Sequence, residues 1–358
     1  MARSTFRKVI TSPELIEKIN PKNKKIVDRF IKNFNTKRSD GSVISYISNY
    51  NIFFVWNLLH NENKFFIDIK KSEMMDFFDF GATELRWSPN RYSQMWSSLS
   101  SLSNYIENIL DEEFPNFRNI VKKIEKLPKN VVREKSVFTK EELDNLANWL
   151  NKKGLIQEIC LLKLIMSSGS RASELLRFTT DLIDINNTAF EDLFLETTKE
   201  MQVKGRGKTG KRIYRYIIKD LFVDDYRKWI EQREKIMNEH NQDHIFVFIK
   251  RDGTPAKLTT IRSWMEKWEI FLMENYGKIW YPHSGRHFWT TYLLKIGLEE
   301  SFVQELQSWS TADMVKIYND LTAKDRKWKG LDKLKNHLDD KDKDETILNE
   351  VTEDTSTQ

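Results

Sequence analysis

The sequence has a single cysteine, Cys160, among its 358 residues, and it lies in the apolar run LIQEICLLKLIM. One cysteine cannot form a disulfide within the chain, and its apolar neighbours predict a core thiol. No apolar run is long enough to cross a bilayer, and the start, MARSTFRKVI, lacks the apolar centre of a signal peptide. These absences predict a cytoplasmic protein that has no membrane partner.

Patterns that bind metals or nucleotides are also missing. The six histidines and the one cysteine show no metal-ligand spacing. The Gly-Lys-Thr triplet at 207–209 is not a Walker A loop, because the first glycine of that loop would have to replace Gln202. We therefore expect no cofactor and no metal.

Charge is distributed unevenly along the chain. Residues 331–358 contain nine acidic residues and four lysines, a net charge of −5, which leaves +10 on the rest of a chain whose formal total is +5. This excess can bind a polyanion if it is gathered on one surface. The length favours two domains followed by a tail.

The first part of the chain has the pattern of a small helical bundle. Ser12 followed by Pro13 predicts a helix start, and polar or glycine-containing breaks separate the segments that come after it. Its tryptophans and tyrosines stand at helical spacing, which is typical of core residues. The apolar periodic runs cover about 24–34, 42–59, 71–78 and 89–110.

A basic segment with two prolines, residues 115–138, follows this bundle. It ends just before Thr139 and Glu142, which have the spacing of a helix capping box. Its composition fits a strap that closes two domains around a duplex, and an ordinary flexible linker explains it equally well. The candidates for phosphate contact here are Lys122, Lys126 and Arg133.

Strand patterns appear after Thr180, between two groups of helices. The stretches DLIDINNTAFEDLFLETTK and KRIYRYIIK are alternating and β-branched, and they flank a glycine-rich basic turn at 204–212. A lysine on such a turn can reach into a groove. The flanking helices are predicted over about 140–151, 155–167, 221–238, 259–276, 284–296, 299–307 and 312–319.

These patterns together predict a mainly α fold with a small antiparallel β-sheet. We place a helical domain at 1–130, a basic linker at 131–138 and a mixed α/β domain at 139–322. Residues 323–358 are expected to form a C-terminal helix and an acidic, disordered tail.

Four residues able to handle a phosphate are gathered in residues 281–318. His283 and Arg286 lie three positions apart, so they share a face on a helix. Trp309 and Tyr318 stand near the ends of a later amphipathic segment. Upstream, Arg171 is predicted in the first turn of a helix, where unbonded backbone N–H groups also favour an anion.

The order of these elements resembles the tyrosine recombinase (phage integrase) family. The matching elements are Arg171 in SSGSRASELL, a lysine in the sheet turn, HSGRH at 283–287, Trp309 and Tyr318. The resemblance covers residues 139–322 and implies a catalytic domain there, with a helical core-binding domain before it. Trp309 stands where many members have a second histidine, as in the Cre-like and Flp-like members.

The resemblance implies cleavage and rejoining of DNA through a 3′-phosphotyrosine. Tyr318 would be the nucleophile, and Arg171 and Arg286 would neutralise charge on the attacked phosphate. His283 would assist at the tyrosine. Trp309 can donate only its indole N–H, so it would hold the phosphate.

A turn lysine would protonate the leaving 5′ oxygen in such a mechanism. Lys204 best resembles the family's lysine, with Lys208 next and Lys211 third. Glu174 and His287 also fall at family positions, as supports for the arginine and histidine helices. The DNA-binding candidates of the turn are Arg206, Lys208, Lys211 and Arg212.

The implied partner is double-stranded DNA carrying recombination sites, on which a monomer or weak oligomer would assemble into a homotetramer. Accessory DNA-bending proteins, a mobile genetic element and a nucleoid location are further expectations from the resemblance. A type IB topoisomerase or a hairpin telomere resolvase could use the same groups. A decayed, non-catalytic DNA-binding relative is the third alternative.

Overall fold

The computed structural model describes residues 8–128, 136–203, 209–322 and Asp325. The chain divides into two compact units. One contains residues 1–134 and 204–211, and the other contains residues 135–203 and 212–358. The secondary structure is mainly α with small antiparallel sheet, which confirms the predicted fold class.

The first unit is a helical bundle whose helix starts follow from local capping. Ser12 accepts a hydrogen bond from the backbone N–H of Leu15 and precedes a proline at the first helical position. Ser88 accepts in the same way at the last helix of the bundle. The helices are α1 (Pro13–Glu17), α2 (Pro21–Asn35), α3 (Asp40–His60), α4 (Lys71–Thr83) and α5 (Pro89–Ile109).

Aromatic side chains fill the core of this bundle, as their helical spacing predicts. Phe53 packs its ring edge-on against Phe77, with centroids 4.8 Å apart. The core also includes Phe117, Val121 and Ile124, all of which are buried. The start of the basic segment at 115–138 therefore belongs to the first unit's core, so it does not act as a tether, and most of the linker predicted at 131–138 lies outside the described residues.

The remaining elements alternate helices with very short strands. They are α6 (Lys140–Lys152), α7 (Ile156–Ser168), α8 (Ala172–Leu175), β1 (Thr188–Ala189), β2 (Phe194–Glu196), β3 (Met201–Val203), β4 (Lys211–Ile213), β5 (Tyr216–Ile218), α9 (Val223–Glu239), α10 (Leu258–Tyr276), α11 (Ser284–Lys295), α12 (Glu300–Leu306) and α13 (Asp313–Tyr318).

The strands form two small sheets rather than one. In the first sheet, β2 lies between β1 and β5 and is antiparallel to both, with Leu195 opposite Ile217. In the second sheet, β3 pairs with β4, so the predicted basic turn joins two paired strands.

Helix α7 is the centre of the second unit's core. It is buried along most of its length, and α6, α9 and α11 pack around it. A helix that is apolar on nearly all sides is expected in such a position. Cys160 on α7 is fully buried, and burial raises the pKa of its thiol, which confirms the prediction of a core thiol.

Helix α11 packs against α7 at a glycine. A Cβ atom placed on Gly285 would overlap Cγ2 of Ile165 on α7. Any larger side chain here would push the two helices apart, because close-packed interiors accommodate added volume only by moving. Gly285 therefore sets the distance between the end of α7 and the residues that begin α11, His283 and Arg286.

Candidate active site

The end of α7 is turned sharply by Gly169. This residue adopts the left-handed conformation (φ 58°), and its N–H donates to the carbonyl oxygen of Ile165. A Cβ atom on Gly169 would also lie only 2.8 Å from Nε2 of Gln307. The turn places Arg171 at the N-cap of the four-residue helix α8, one position before the first turn in which the sequence predicts it.

Glu174 on α8 is fully buried at the centre of three guanidinium groups. Its Oε1 accepts from Nη1 of Arg171 at 2.7 Å, and its Oε2 accepts from the Arg171 backbone N–H at 3.0 Å. Oε2 also accepts from Nη2 of Arg215 at 2.6 Å and from Nη2 of Arg286 at 3.3 Å. The carboxylate thus holds three arginines from distant parts of the second unit at one point.

The charged groups of this cluster shift one another's pKa values. Burial opposes ionisation of Glu174, but Arg215, Arg286 and Arg171 together lower its pKa to about 2. Burial and the neighbouring positive charge of Arg171 lower the pKa of Arg286 to about 9. Glu174 is therefore negative and Arg286 positive at neutral pH, and the four groups carry a net charge of +2.

Three buried donors of the site have no hydrogen-bond partner among the described residues. They are Nη1 of Arg286, Nε1 of Trp309 and Nε of Arg215. Arg286 is oriented by its Nε, which donates to the Gly169 carbonyl oxygen at 2.8 Å, and its guanidinium carbon lies 5.7 Å from the Trp309 ring centroid. Buried donors without partners are costly unless a ligand pairs with them, so they mark an anion site.

Tyr318, the last residue of α13, is surrounded by predicted site residues. Its hydroxyl lies 3.4 Å from Nδ1 of His283. Its ring stacks on Trp309 with centroids 5.3 Å apart, and the guanidinium carbon of Arg286 lies 5.7 Å from its ring centroid. His287 completes the surroundings, with its ring edge-on to Tyr318 at 4.9 Å.

The chain just after Tyr318 is fixed to α11 by side chains one turn apart. Nδ1 of His287 lies 2.8 Å from a carboxylate oxygen of Asp320. The Thr291 hydroxyl donates to the Tyr318 carbonyl oxygen at 3.3 Å and accepts from the Asp320 backbone N–H at 3.0 Å. These contacts hold Tyr318 against His283 within the same chain.

The structure thus brings together seven of the residues that the sequence singled out. Their side chains come from the start of α8, from the start of α11, from the loop between α12 and α13 and from the end of α13. They are Arg171, Glu174, His283, Arg286, His287, Trp309 and Tyr318.

Three buried or nearly buried partners in the site were missed in the sequence: Arg215, Gln307 and Asp320. Arg215 is 1% exposed and stands between the buried Ile213 and Ile217, at an inward position of the strand pattern. An arginine at such a position signals a buried ion pair, since a buried charge is rarely left unpaired.

The basic DNA-contact candidates fall into two groups. Four lie outside the described residues, namely Lys204, Arg206, Lys208 and Arg133. The other four, Lys122, Lys126, Lys211 and Arg212, are exposed. The amino group of Lys126 lies 3.7 Å from the Trp96 ring centroid, which is a cation–π contact within the first unit.

The part of the chain that the structure describes contains neither a membrane-spanning helix nor a metal-binding cluster. No helix there combines the length and apolar character needed to span a membrane. In the same residues, no three His, Cys, Asp or Glu side chains gather where they could hold a metal ion.

A tyrosine hydroxyl beside a histidine and a cluster of buried guanidinium groups is typical of a site for nucleophilic phosphoryl transfer. Residues 136–325 match the model of the phage integrase family, and the chain belongs to this family. The sequence resemblance is thereby confirmed at the level of the family.

Similar curated proteins include a recombinase-like protein and a tyrosine recombinase. The SPbeta prophage-derived recombinase-like protein YomM of Bacillus subtilis is 23% identical over 284 residues, which cover 78% of this chain and 81% of that protein. The tyrosine recombinase XerC of Listeria monocytogenes is 24% identical over 249 residues, which cover 67% of this chain and 75% of that protein.

Similar solved structures share the fold at low sequence identity. The Tn1549 transposon integrase in complex with circular intermediate DNA has a TM-score of 0.62 and 13% identity, covering 85% of this chain and 97% of that one. A lambda integrase tetramer bound to a Holliday junction has a TM-score of 0.58 and 15% identity, covering 83% and 77%.

Proposed function

We propose that this chain is a site-specific DNA recombinase that cleaves and rejoins DNA through a 3′-phosphotyrosine. The observation that carries the proposal is the surroundings of Tyr318, whose hydroxyl lies beside His283 and whose ring lies between Trp309 and the Arg286 guanidinium. Membership of the phage integrase family and the recombinase relatives support it.

In the proposed reaction, the Tyr318 oxygen bonds to phosphorus while the bond from phosphorus to the 5′ oxygen breaks. His283 accepts the tyrosine proton, and a lysine of the 204–212 turn donates a proton to the departing 5′ oxygen. A hydroxyl–imidazole distance of 3.4 Å is common before substrate tightens the site. The reverse steps with a new 5′ hydroxyl rejoin the strand.

Arg171, Arg286 and Trp309 are proposed to bind the non-bridging oxygens of the attacked phosphate. The pentacoordinate transition state gathers negative charge there, and fixed donors in a buried site stabilise it more than water does. The partnerless donors Nη1 of Arg286 and Nε1 of Trp309 are available for these oxygens. Glu174 and His287 support the arginines and the tyrosine without touching the phosphate.

Tyr318 is proposed to act in cis, since its histidine, arginine and tryptophan neighbours all belong to its own chain.

Two DNA sites would be held together by a homotetramer that forms from monomers or weak oligomers. The proposed setting is a mobile genetic element acting at the nucleoid, with accessory DNA-bending proteins as further partners. No comparison favours a topoisomerase, a telomere resolvase or a non-catalytic relative.

The direct test is to trap the wild-type chain on DNA from its own genomic neighbourhood and sequence the break. A plasmid carrying two copies of the recovered site should then recombine when the protein is added. Relaxation of supercoiled plasmid without any exchange between the two copies would contradict recombination and support a topoisomerase.

The identity of the general acid can be settled by leaving-group replacement. Lys204→Ala should cleave an ordinary phosphate slowly, by roughly 10²-fold or more, and should recover on a 5′-bridging phosphorothiolate, whose sulfur leaves without a proton. Lys208→Ala and Lys211→Ala, measured by the same single-turnover assay, serve as matched controls. Recovery of the Lys208 variant instead would move the role to that lysine.

A further inference from the structure

Arg215 is buried in the site as deeply as Arg286. Its side chain is 1% exposed, its Nη2 donates to Glu174 at 2.6 Å, and its Nη1 donates to Oε1 of Gln307 at 2.7 Å. Gln307 in turn donates to the Ser168 carbonyl oxygen at 2.7 Å. Arg215 is therefore almost completely shielded from solvent.

The three guanidinium groups around Glu174 differ in exposure. The Arg171 side chain is 21% exposed, whereas those of Arg215 and Arg286 are each 1% exposed. Arg215 and Arg286 each keep one buried nitrogen without a partner among the described residues, but the contact of Arg286 with Glu174 is the longest of the three, at 3.3 Å. Glu174 is thus paired most closely with Arg215 and Arg171, and the hold on Arg286 is the loosest.

Without Arg215, the carboxylate would have to be neutralised by the two arginines that are proposed to bind the phosphate. The net charge of the cluster would fall from +2 to +1. Arg171 already lies 2.7 Å from Glu174, so Arg286, now at 3.3 Å, would be drawn closer to the carboxylate. In a buried site the loss of one charge strongly changes the electrostatic interactions of the remaining groups, because little solvent screens them.

We propose that Arg215 is a positioning residue that neutralises Glu174, so that Arg171 and Arg286 remain available to the scissile phosphate. The inference rests on the proposed function and extends it to a residue that does not touch the substrate. Arg215 also lies just beyond β4 and, through Gln307, is tied to the chain two residues before Trp309. It therefore links the strands next to the lysine turn to the phosphate-binding donors.

The test compares rates of covalent adduct formation on a nicked duplex that carries the sequence trapped by the wild-type chain. Arg215→Met should slow the reaction by roughly 10-fold to 100-fold, less than the 10²–10³-fold typical of a donor that contacts the transition state directly. Arg215→Lys should recover much of the rate, because it keeps the charge beside Glu174. Thermal unfolding and non-covalent DNA binding are measured for every variant.

The decisive variant combines Glu174→Gln with Arg215→Met. It has the same net charge of +2 in the cluster as the wild type, so it should react several-fold faster than Arg215→Met alone. Arg233 serves as the control for this comparison. It is buried and donates to the backbone carbonyl oxygens of Phe246 and His244. Glu174→Gln should give no recovery to Arg233→Met.

The outcomes separate this inference from the proposed function. If the wild-type chain forms no adduct, the proposed function itself fails. If the wild-type chain reacts and Arg215→Met is equally fast, or if the folded double variant is no faster than Arg215→Met, the charge-balancing role is overturned. If Arg215→Lys is folded but as slow as Arg215→Met, that role is overturned as well.

Discussion

Tyr318→Phe should form no detectable covalent protein–DNA adduct on a nicked suicide substrate while binding the same DNA as tightly as the wild type. The change removes the hydroxyl oxygen that is proposed to bond to phosphorus and leaves the ring in place. The stacking on Trp309 and the contact with His287 remain, so the folded state should lose no more than about 1 kcal/mol. Denaturing electrophoresis of labelled DNA measures the adduct.

A matched control is available on α11. The Tyr292 ring stacks on Phe288 with centroids 5.5 Å apart. Tyr292→Phe removes a hydroxyl from the same unit and should form adduct at the wild-type rate. An undiminished adduct in Tyr318→Phe would take the nucleophile away from Tyr318, whatever the control shows.

Arg286→Ala should slow single-turnover cleavage by roughly 10²–10³-fold or more, with a smaller effect on DNA binding. The side chain supplies a buried, oriented positive charge and a donor without a partner at the proposed phosphate position. Arg286→Lys should recover little of the cleavage rate. The planar guanidinium donates to Gly169 and Glu174 and has a further N–H for the phosphate, and an ammonium group cannot make these three contacts together.

Arg262 provides the comparison for this prediction. It is an exposed arginine on α10 in the same unit, so Arg262→Ala removes one positive charge without touching the cluster. Its cleavage rate should match that of the wild type. A wild-type rate for a folded Arg286→Ala would remove Arg286 from the transition state, and Arg171→Ala should be tested beside it for the same loss.

Much of the helical framework could be predicted from local chemistry. Thr139 and Glu142 form the capping box that the sequence predicts, and Gly169 ends α7 at the expected place. The site residues from His283 to Tyr318 could be named because the spacing of a known family joins them. Their individual roles remain predictions.

What could not be predicted depends on contacts between distant segments. Arg215 and Gln307 are 92 positions apart and both are buried, so only the tertiary structure shows that they are partners. The basic segment was misread because its lysines dominate the composition, while Phe117, Val121 and Ile124 are the residues that pack. The free energy gained by burying these few apolar side chains fixes the segment in the core, while the charged side chains around them remain in water.

The contact of Gly285 with Ile165 has a consequence for laboratory evolution of this enzyme. The two positions are coupled: any side chain at 285 needs a smaller neighbour at 165, so substitutions that are harmful singly become acceptable only together. Libraries that vary one residue at a time will therefore yield no active variant with a larger side chain at position 285. Libraries that vary positions 165 and 285 together should yield such variants.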